Sequence, residues 1–84
     1  MTQPIAIVTG ASKGIGFEVC KVLAEESARI VMMARGEVEL ETSVETIAAM
    51  GGRAVAVAGD VGMREDCERA ISTARTVFSG LDIL

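Results

Sequence analysis

Three glycines, Gly10, Gly14 and Gly16, punctuate the stretch Thr9-Gly10-Ala11-Ser12-Lys13-Gly14-Ile15-Gly16, with a hydroxyl and an amine between the first two. Such a stretch can hold a phosphate where a strand hands over to a helix. The first glycine lets the chain turn sharply, the second lets backbone approach an anion without a Cβ in the way, and the third lets helix and strand pack closely. The unpaired N–H groups of the helix start, at the positive end of its dipole, then face a pyrophosphate. A P-loop, the rival phosphate cradle, needs Lys-Ser or Lys-Thr directly after its last glycine; here Lys13 precedes Gly14, and Ile15 follows it. The bland alternative is a tight strand-to-helix connection that binds nothing.

The elements around the stretch are those the chemistry requires. Residues 4–9 carry the run Ile5, Ala6, Ile7, Val8, a short apolar segment stopped by glycine, which reads as a strand buried on both faces. From Ile15 the apolar positions Ile15, Val19, Val22 and Leu23 follow helical spacing, with Glu18, Lys21, Glu25 and Glu26 on the other side. Residues 30–34 repeat the buried-strand signature. Leu40, Val44, Ile47 and Ala48 repeat the helical one until Gly51-Gly52 stops it. Residues 54–58 form a third apolar run ended by Gly59-Asp60. Cys67, Ala70, Ile71, Ala74, Val77 and Phe78 then form a third helical stripe closed by Gly80, and residues 81–84 look like the opening of a fourth strand.

Strand and helix alternating in this way predict an α/β fold, a Rossmann-type doubly wound parallel sheet. Right-handed crossovers put the first three strands in the order 3-2-1, with the first two helices on one face and the third crossing the other. The second strand ends at Ala34, 18 residues past Gly16, close to the distance of about 20 at which dinucleotide-binding folds read the ribose. Because a buried strand opens at residues 81–84 and stops there, residues 1–84 read as the amino-terminal part of a single domain whose carboxyl-terminal part is missing.

Composition excludes other classes. The 84 residues are 50% hydrophobic and 24% charged with a formal net charge of −4, which sets aside disorder and argues against nucleic acid or a membrane surface as partner. The apolar run bracketed by Arg29 and Arg35, which no other exceeds, is far too short to span a membrane, and the amino terminus has no basic region of a secretory signal, so the cytoplasm is the default. Cys20 and Cys67 make no metal or CxxC pattern and read as buried reduced thiols, and no metal site is expected. With no His and no Tyr in the chain, imidazole and phenol catalysis is absent from it; Ser12 has no base to activate it, and we nominate no catalytic residue.

Thr9 to Gly16 resembles the TGxxxGxG cofactor signature of the short-chain dehydrogenase/reductase family. Gly59-Asp60-Val61 is similar to that family's Asp-Val after the third strand, and Gly80-Leu81-Asp82-Ile83-Leu84 to its lead-in to the fourth. The resemblance implies a nicotinamide cofactor and reversible hydride transfer between a carbonyl and an alcohol. It also implies a small-molecule substrate and a whole protein that is a homodimer or homotetramer. By it, Gly10, Ser12, Gly14, Ile15 and Gly16 would line the pyrophosphate and adjacent ribose, and Asp60 and Val61 would hold the adenine. The family's catalytic Ser and Tyr-x3-Lys fall beyond this chain, so the chain alone should be inactive. The chain departs from common family sequence at Gly36 and Gly62, which occupy helix-start positions where Asn, Asp, Ser or Thr is usual; glycine there costs only about a few tenths of a kcal/mol.

The choice of dinucleotide is a question of charge at the end of the second strand. An acid there would accept hydrogen bonds from a free ribose 2′-hydroxyl, but the chain has Ala34 followed by Arg35. Arg35 can grip a 2′-phosphate in a bidentate fork and Lys13 can add a second cation, so NADP is favoured over NAD. Glu37, the alternative ribose acid, falls in the first turn of the second helix, where an acid simply complements the dipole. The rival functional class is a catalytically silent dinucleotide-binding sensor on the same fold; a third is a scaffold that associates through its uncovered sheet.

Overall fold

Apolar runs and amphipathic segments alternate along the chain as strands and helices: β1 (Ile5–Thr9), α1 (Gly14–Glu25), β2 (Arg29–Ala34), α2 (Glu37–Ala49), β3 (Arg53–Ala58) and α3 (Arg64–Phe78). The computed structural model describes residues 4–78, so the expected fourth strand over 81–84 and the stop at Gly80 lie outside the described residues. The three strands are parallel with β2 in the centre, the order expected. Ile5 pairs with Arg29 and Thr9 with Met33 at the two ends of one ladder, and Arg29 with Arg53 and Ala34 with Ala58 at the ends of the other.

Alternation along β2 sends successive side chains to opposite faces. Ile30, Met32 and Ala34 meet Cys20 of α1 and Leu40 and Ile47 of α2, whereas Val31 and Met33 meet Ala70 and Ala74 of α3. Two helices therefore cover one face and one covers the other, as the right-handed connections require. Residues 30–33 are almost wholly shielded. β1 was expected to be buried on both faces, but only Ile5 is; residues 6–8 are half-buried and Thr9 is exposed, since among the described residues only β2 flanks it.

The helical stripes need correction. On α1 the expected stripe Ile15, Val19, Val22 and Leu23 is largely outside, with Ile15 84% exposed. The face turned to the sheet is Gly16, Cys20, Leu23 and Ala24, the same spacing moved on by one residue. Gly16 must lie against the end of β1, and helical periodicity carries that face to Cys20 and beyond. On α2, Leu40 and Ile47 are buried and Val44 half-buried as expected, but Ala48 is exposed and Ser43 is buried. On α3 the buried stripe narrows to Ala70 and Ala74, leaving Ile71 and Val77 exposed. α2 stops as expected: Gly51, at φ +87, and Gly52 return N–H donors to the Ala48 and Ile47 carbonyls, closing a Schellman motif. Of the two thiols, both free, Cys20 is buried but Cys67 is only partly so.

Candidate functional site

Parallel strands deliver their carboxyl ends to one side of the sheet, and in doubly wound folds ligands bind in the crevice there. In this chain that crevice is a cavity of about 380 Å³ between the loops that follow β1, β2 and β3. Of the residues singled out from sequence, Gly10, Ser12, Lys13, Arg35, Asp60 and Val61 all line it. Gly14, Ile15 and Gly16 do not; they form the first turn of α1 beside it, and the Ile15 side chain points to solvent.

The glycines divide the work. Gly10 and Gly14 adopt φ of +59 and +63, which a residue with a Cβ takes up only under strain, and nothing lies within 4 Å of where a Cβ would project from either, so the space above the loop is open. Gly16 is different: a Cβ there would run into the Gly10 carbonyl and sit 3.1 Å from the Thr9 oxygen. Only hydrogen fits, and α1 therefore starts hard against β1. Lys13 is the N-cap residue of α1 in extended conformation, and no side chain caps that helix start.

The loop is tied to its surroundings at two points. The Ala11 N–H donates to the Met33 carbonyl of β2 at 3.1 Å. The Ser43 hydroxyl, buried on α2, lies 2.8 Å from the Ser12 carbonyl and 3.0 Å from the Glu39 carbonyl. Its single proton serves these two acceptors, one in the glycine loop and one in its own helix. Ser43 escaped the sequence reading, although a hydroxyl among the sheet-facing positions of α2 was a signal.

On the opposite wall, the Arg35 guanidinium lies 3.5 Å from the Asp60 carboxylate, with the Arg35 side chain 79% exposed. A pair so solvated contributes at most about 1 kcal/mol, leaving Arg35 ready for a better partner. Asp60 is held from both directions: its carboxylate accepts the Gly62 N–H at 2.8 Å, and its own N–H donates to the Asp66 carboxylate at 2.9 Å. That Asp60 N–H, with Arg69 beside it, holds the Asp66 carboxyl below the ordinary carboxylate range. Arg69 also donates to the Ala58 carbonyl at the end of β3. Asp66, in the first turn of α3, was also missed from sequence; acids in first turns are common, and nothing distinguished this one.

Gly36 is the N-cap of α2, as read. Gly62 is not at a helix start: it sits in the turn that Met63 closes by donating to the Asp60 carbonyl, and α3 begins at Arg64. Glu39 lines the cavity and Glu37 does not, a distinction the spacing alone could not make. Among the described residues there is no cluster of three or more His, Cys, Asp or Glu side chains suited to a metal ion, and no helix long and apolar enough to cross a membrane.

Comparison with known proteins agrees with this geometry. The sequence model of the family described as short chain dehydrogenase matches residues 4–84. A short chain dehydrogenase of Pseudocercospora fijiensis is 39% identical over 79 residues, covering 94% of this chain and 26% of its own. Among solved structures, L-sorbose reductase from Gluconobacter frateurii, complexed with NADPH and L-sorbose, superposes with a TM-score of 0.90 at 33% identity, over 100% of this chain and 32% of that one. A 3-ketoacyl-ACP reductase from Sinorhizobium meliloti superposes with a TM-score of 0.86 at 30% identity, over 94% and 31%. The chain thus spans about a quarter to a third of the length of these proteins.

Proposed function

The chain belongs to the short chain dehydrogenase family, and on that premise we propose that its cavity takes the adenosine 2′-phosphate end of NADP in an oxidoreductase that interconverts a carbonyl and an alcohol. The observation that carries this reading is that Lys13 and Arg35, on different loops, line one cavity together with Asp60, while the last residue of β2 is Ala34 and not an acid. Two cations lining one space suit a dianionic phosphate, and the end of β2, where dinucleotide-binding folds place the acid that selects a free 2′-hydroxyl, holds Ala34 instead. The open space over Gly10 and Gly14 and the uncapped start of α1 fit a pyrophosphate on the same path.

When bound, the dinucleotide supplies the hydride at its nicotinamide. The residues of this chain bind and orient it. Gly10, Ser12, Gly14, Ile15 and Gly16 offer backbone to the pyrophosphate and the adjacent ribose. Lys13 and Arg35 neutralise the 2′-phosphate, and Asp60 with Val61 bounds the adenine. For Arg35 to reach the phosphate it must leave Asp60, a small cost because that contact is long and exposed. The family's Tyr-x3-Lys pair would supply proton transfer, and these 84 residues contain no Tyr and no His. The remaining features of the reading are a small-molecule substrate, a homodimeric or homotetrameric whole protein and a cytoplasmic setting, with no role for nucleic acid or membrane; the net charge of −4 supports the last point.

The test is the double change Ala34→Asp and Arg35→Ser in the full-length protein, followed by fluorescence titration with NADPH and NADH. Loss of a charge-assisted fork should weaken NADPH by roughly 10- to 100-fold, while NADH gains an acceptor for its 2′-hydroxyl. Equal affinity for both cofactors before and after the change would reject the assignment.

A further inference from the structure

The same cavity contains a negative group that neither the phosphate nor the adenine reading uses. Glu39 is the third residue of α2, two after Glu37, and its carboxylate folds back over the N-cap: a Cβ built on Gly36 would lie 2.5 Å from the Glu39 carboxylate oxygen Oε1. Glycine at position 36 is therefore what gives the carboxylate its space, and the folded-back side chain lines the cavity with Lys13, Arg35 and Asp60. Its helical turn is held by the Ser43 hydroxyl, which reaches the Glu39 carbonyl at 3.0 Å and the Ser12 carbonyl of the loop at 2.8 Å. Glu37 occupies the same first turn and acts on the same dipole but does not line the cavity.

Resting on the reading that this cavity holds the adenosine ribose and its 2′-substituent, we propose that Glu39 is a specificity-determining residue that sets how strongly the site prefers NADP. Its carboxylate repels a 2′-phosphate gathered by Lys13 and Arg35 and accepts a hydrogen bond from a free 2′-hydroxyl. The cavity thus sets two cations, Lys13 and Arg35, against two acids, Asp60, which already faces Arg35, and Glu39, which pairs with neither cation and is left to act on the 2′-substituent. A 2′-phosphate carries close to two negative charges, and repulsion across the span of one cavity is not screened away when the Debye length is about 8 Å.

The experiment compares the full-length protein with Glu39→Gln, Glu37→Gln and Arg35→Ser, measuring dissociation constants for NADPH and NADH by direct titration. Glu39→Gln should raise the ratio of NADPH to NADH affinity by about tenfold, and Glu37→Gln, which removes the same charge from the same turn, by less than about twofold. If Arg35→Ser weakens NADPH but Glu39→Gln leaves the ratio unchanged, or Glu37→Gln moves it as far, the role of Glu39 is overturned and the cavity reading stands. If Arg35→Ser leaves NADPH affinity untouched, the cavity reading fails first and Glu39 with it. Glu39 is solvent-exposed, so neither outcome is confounded by folding.

Discussion

Replacing Gly16 by alanine tests the link between packing and binding most directly. An added Cβ would lie 2.8 Å from the Gly10 carbonyl carbon and 3.1 Å from the Thr9 oxygen, with the Gly10 oxygen nearer still. These are backbone atoms of the strand end and the turn, and no rotamer change can move them aside. Relief requires the start of α1 to withdraw from β1 by about 1 Å, an overpacking strain that costs roughly 1–3 kcal/mol. Alanine regains about 1 kcal/mol of helix propensity over glycine, so the net loss of stability is at most about 2 kcal/mol. On the proposed reading the binding consequence is larger than that figure suggests, because the withdrawn turn contains Gly14, whose amide that reading offers to the pyrophosphate.

Urea unfolding and NADPH titration of the full-length Gly16→Ala protein should therefore show a modest drop in midpoint and a drop in affinity of about tenfold or more. Gly51→Ala is the control. Gly51 has φ +87 and open space around its would-be Cβ, so alanine there costs about 1–2 kcal/mol of left-handed strain at the far end of α2 and should leave NADPH affinity alone. A Gly16→Ala protein that unfolds no earlier than the parent and binds NADPH equally well would refute the close-contact argument. Equal loss of binding in both variants would show that general destabilisation is the cause.

Two further outcomes follow from the interior. Burial pushes the Cys20 thiol from 9.0 up to about 11, so above pH 9 the unfolded chain releases a proton that the folded chain keeps, and stability should fall between pH 9 and 11 by about 2–3 kcal/mol; urea midpoints across that range should decline more steeply in the parent than in Cys20→Ala. Ser43→Ala removes the donor between the Ser12 and Glu39 carbonyls and should cost about 1 kcal/mol of unfolding free energy while weakening NADPH binding, whereas unchanged affinity would mean the loop holds its shape without α2.

Most of the fold was legible because its signals are local. Ile5 to Val8 and residues 30–34 are apolar runs too short for helices, glycines mark the turns, and crossover handedness does the rest. The α1 stripe misled because hydropathy weights large residues, and the residue that fixes the rotation of that helix is Gly16, which has no side chain to weigh. What seats Gly16 against the sheet is its missing Cβ, a steric fact about Gly10 and Thr9 that no periodicity contains. The cavity residues followed the same division. Gly10, Ser12, Lys13, Arg35, Asp60 and Val61 stand at strand ends, where topology alone brings them together.

Glu39, Ser43 and Asp66 were missed for a common reason: each lies on a helix, and its role depends on how that helix is turned toward a loop packed against it. Ser43 meets Ser12 across 31 positions, a contact that exists only because α1 and α2 share one face of the sheet. Asp66 accepts the Asp60 N–H because the first turn of α3 lies against the connection over residues 59–63 that leads into it from β3. Glu39 and Glu37 differ by about 200° around the helix, and of the two only Glu39 lines the cavity. Strand ends therefore determine where the cavity lies, while the rotation of the adjoining helices determines which charges line it, and sequence spacing encodes the first far more plainly than the second.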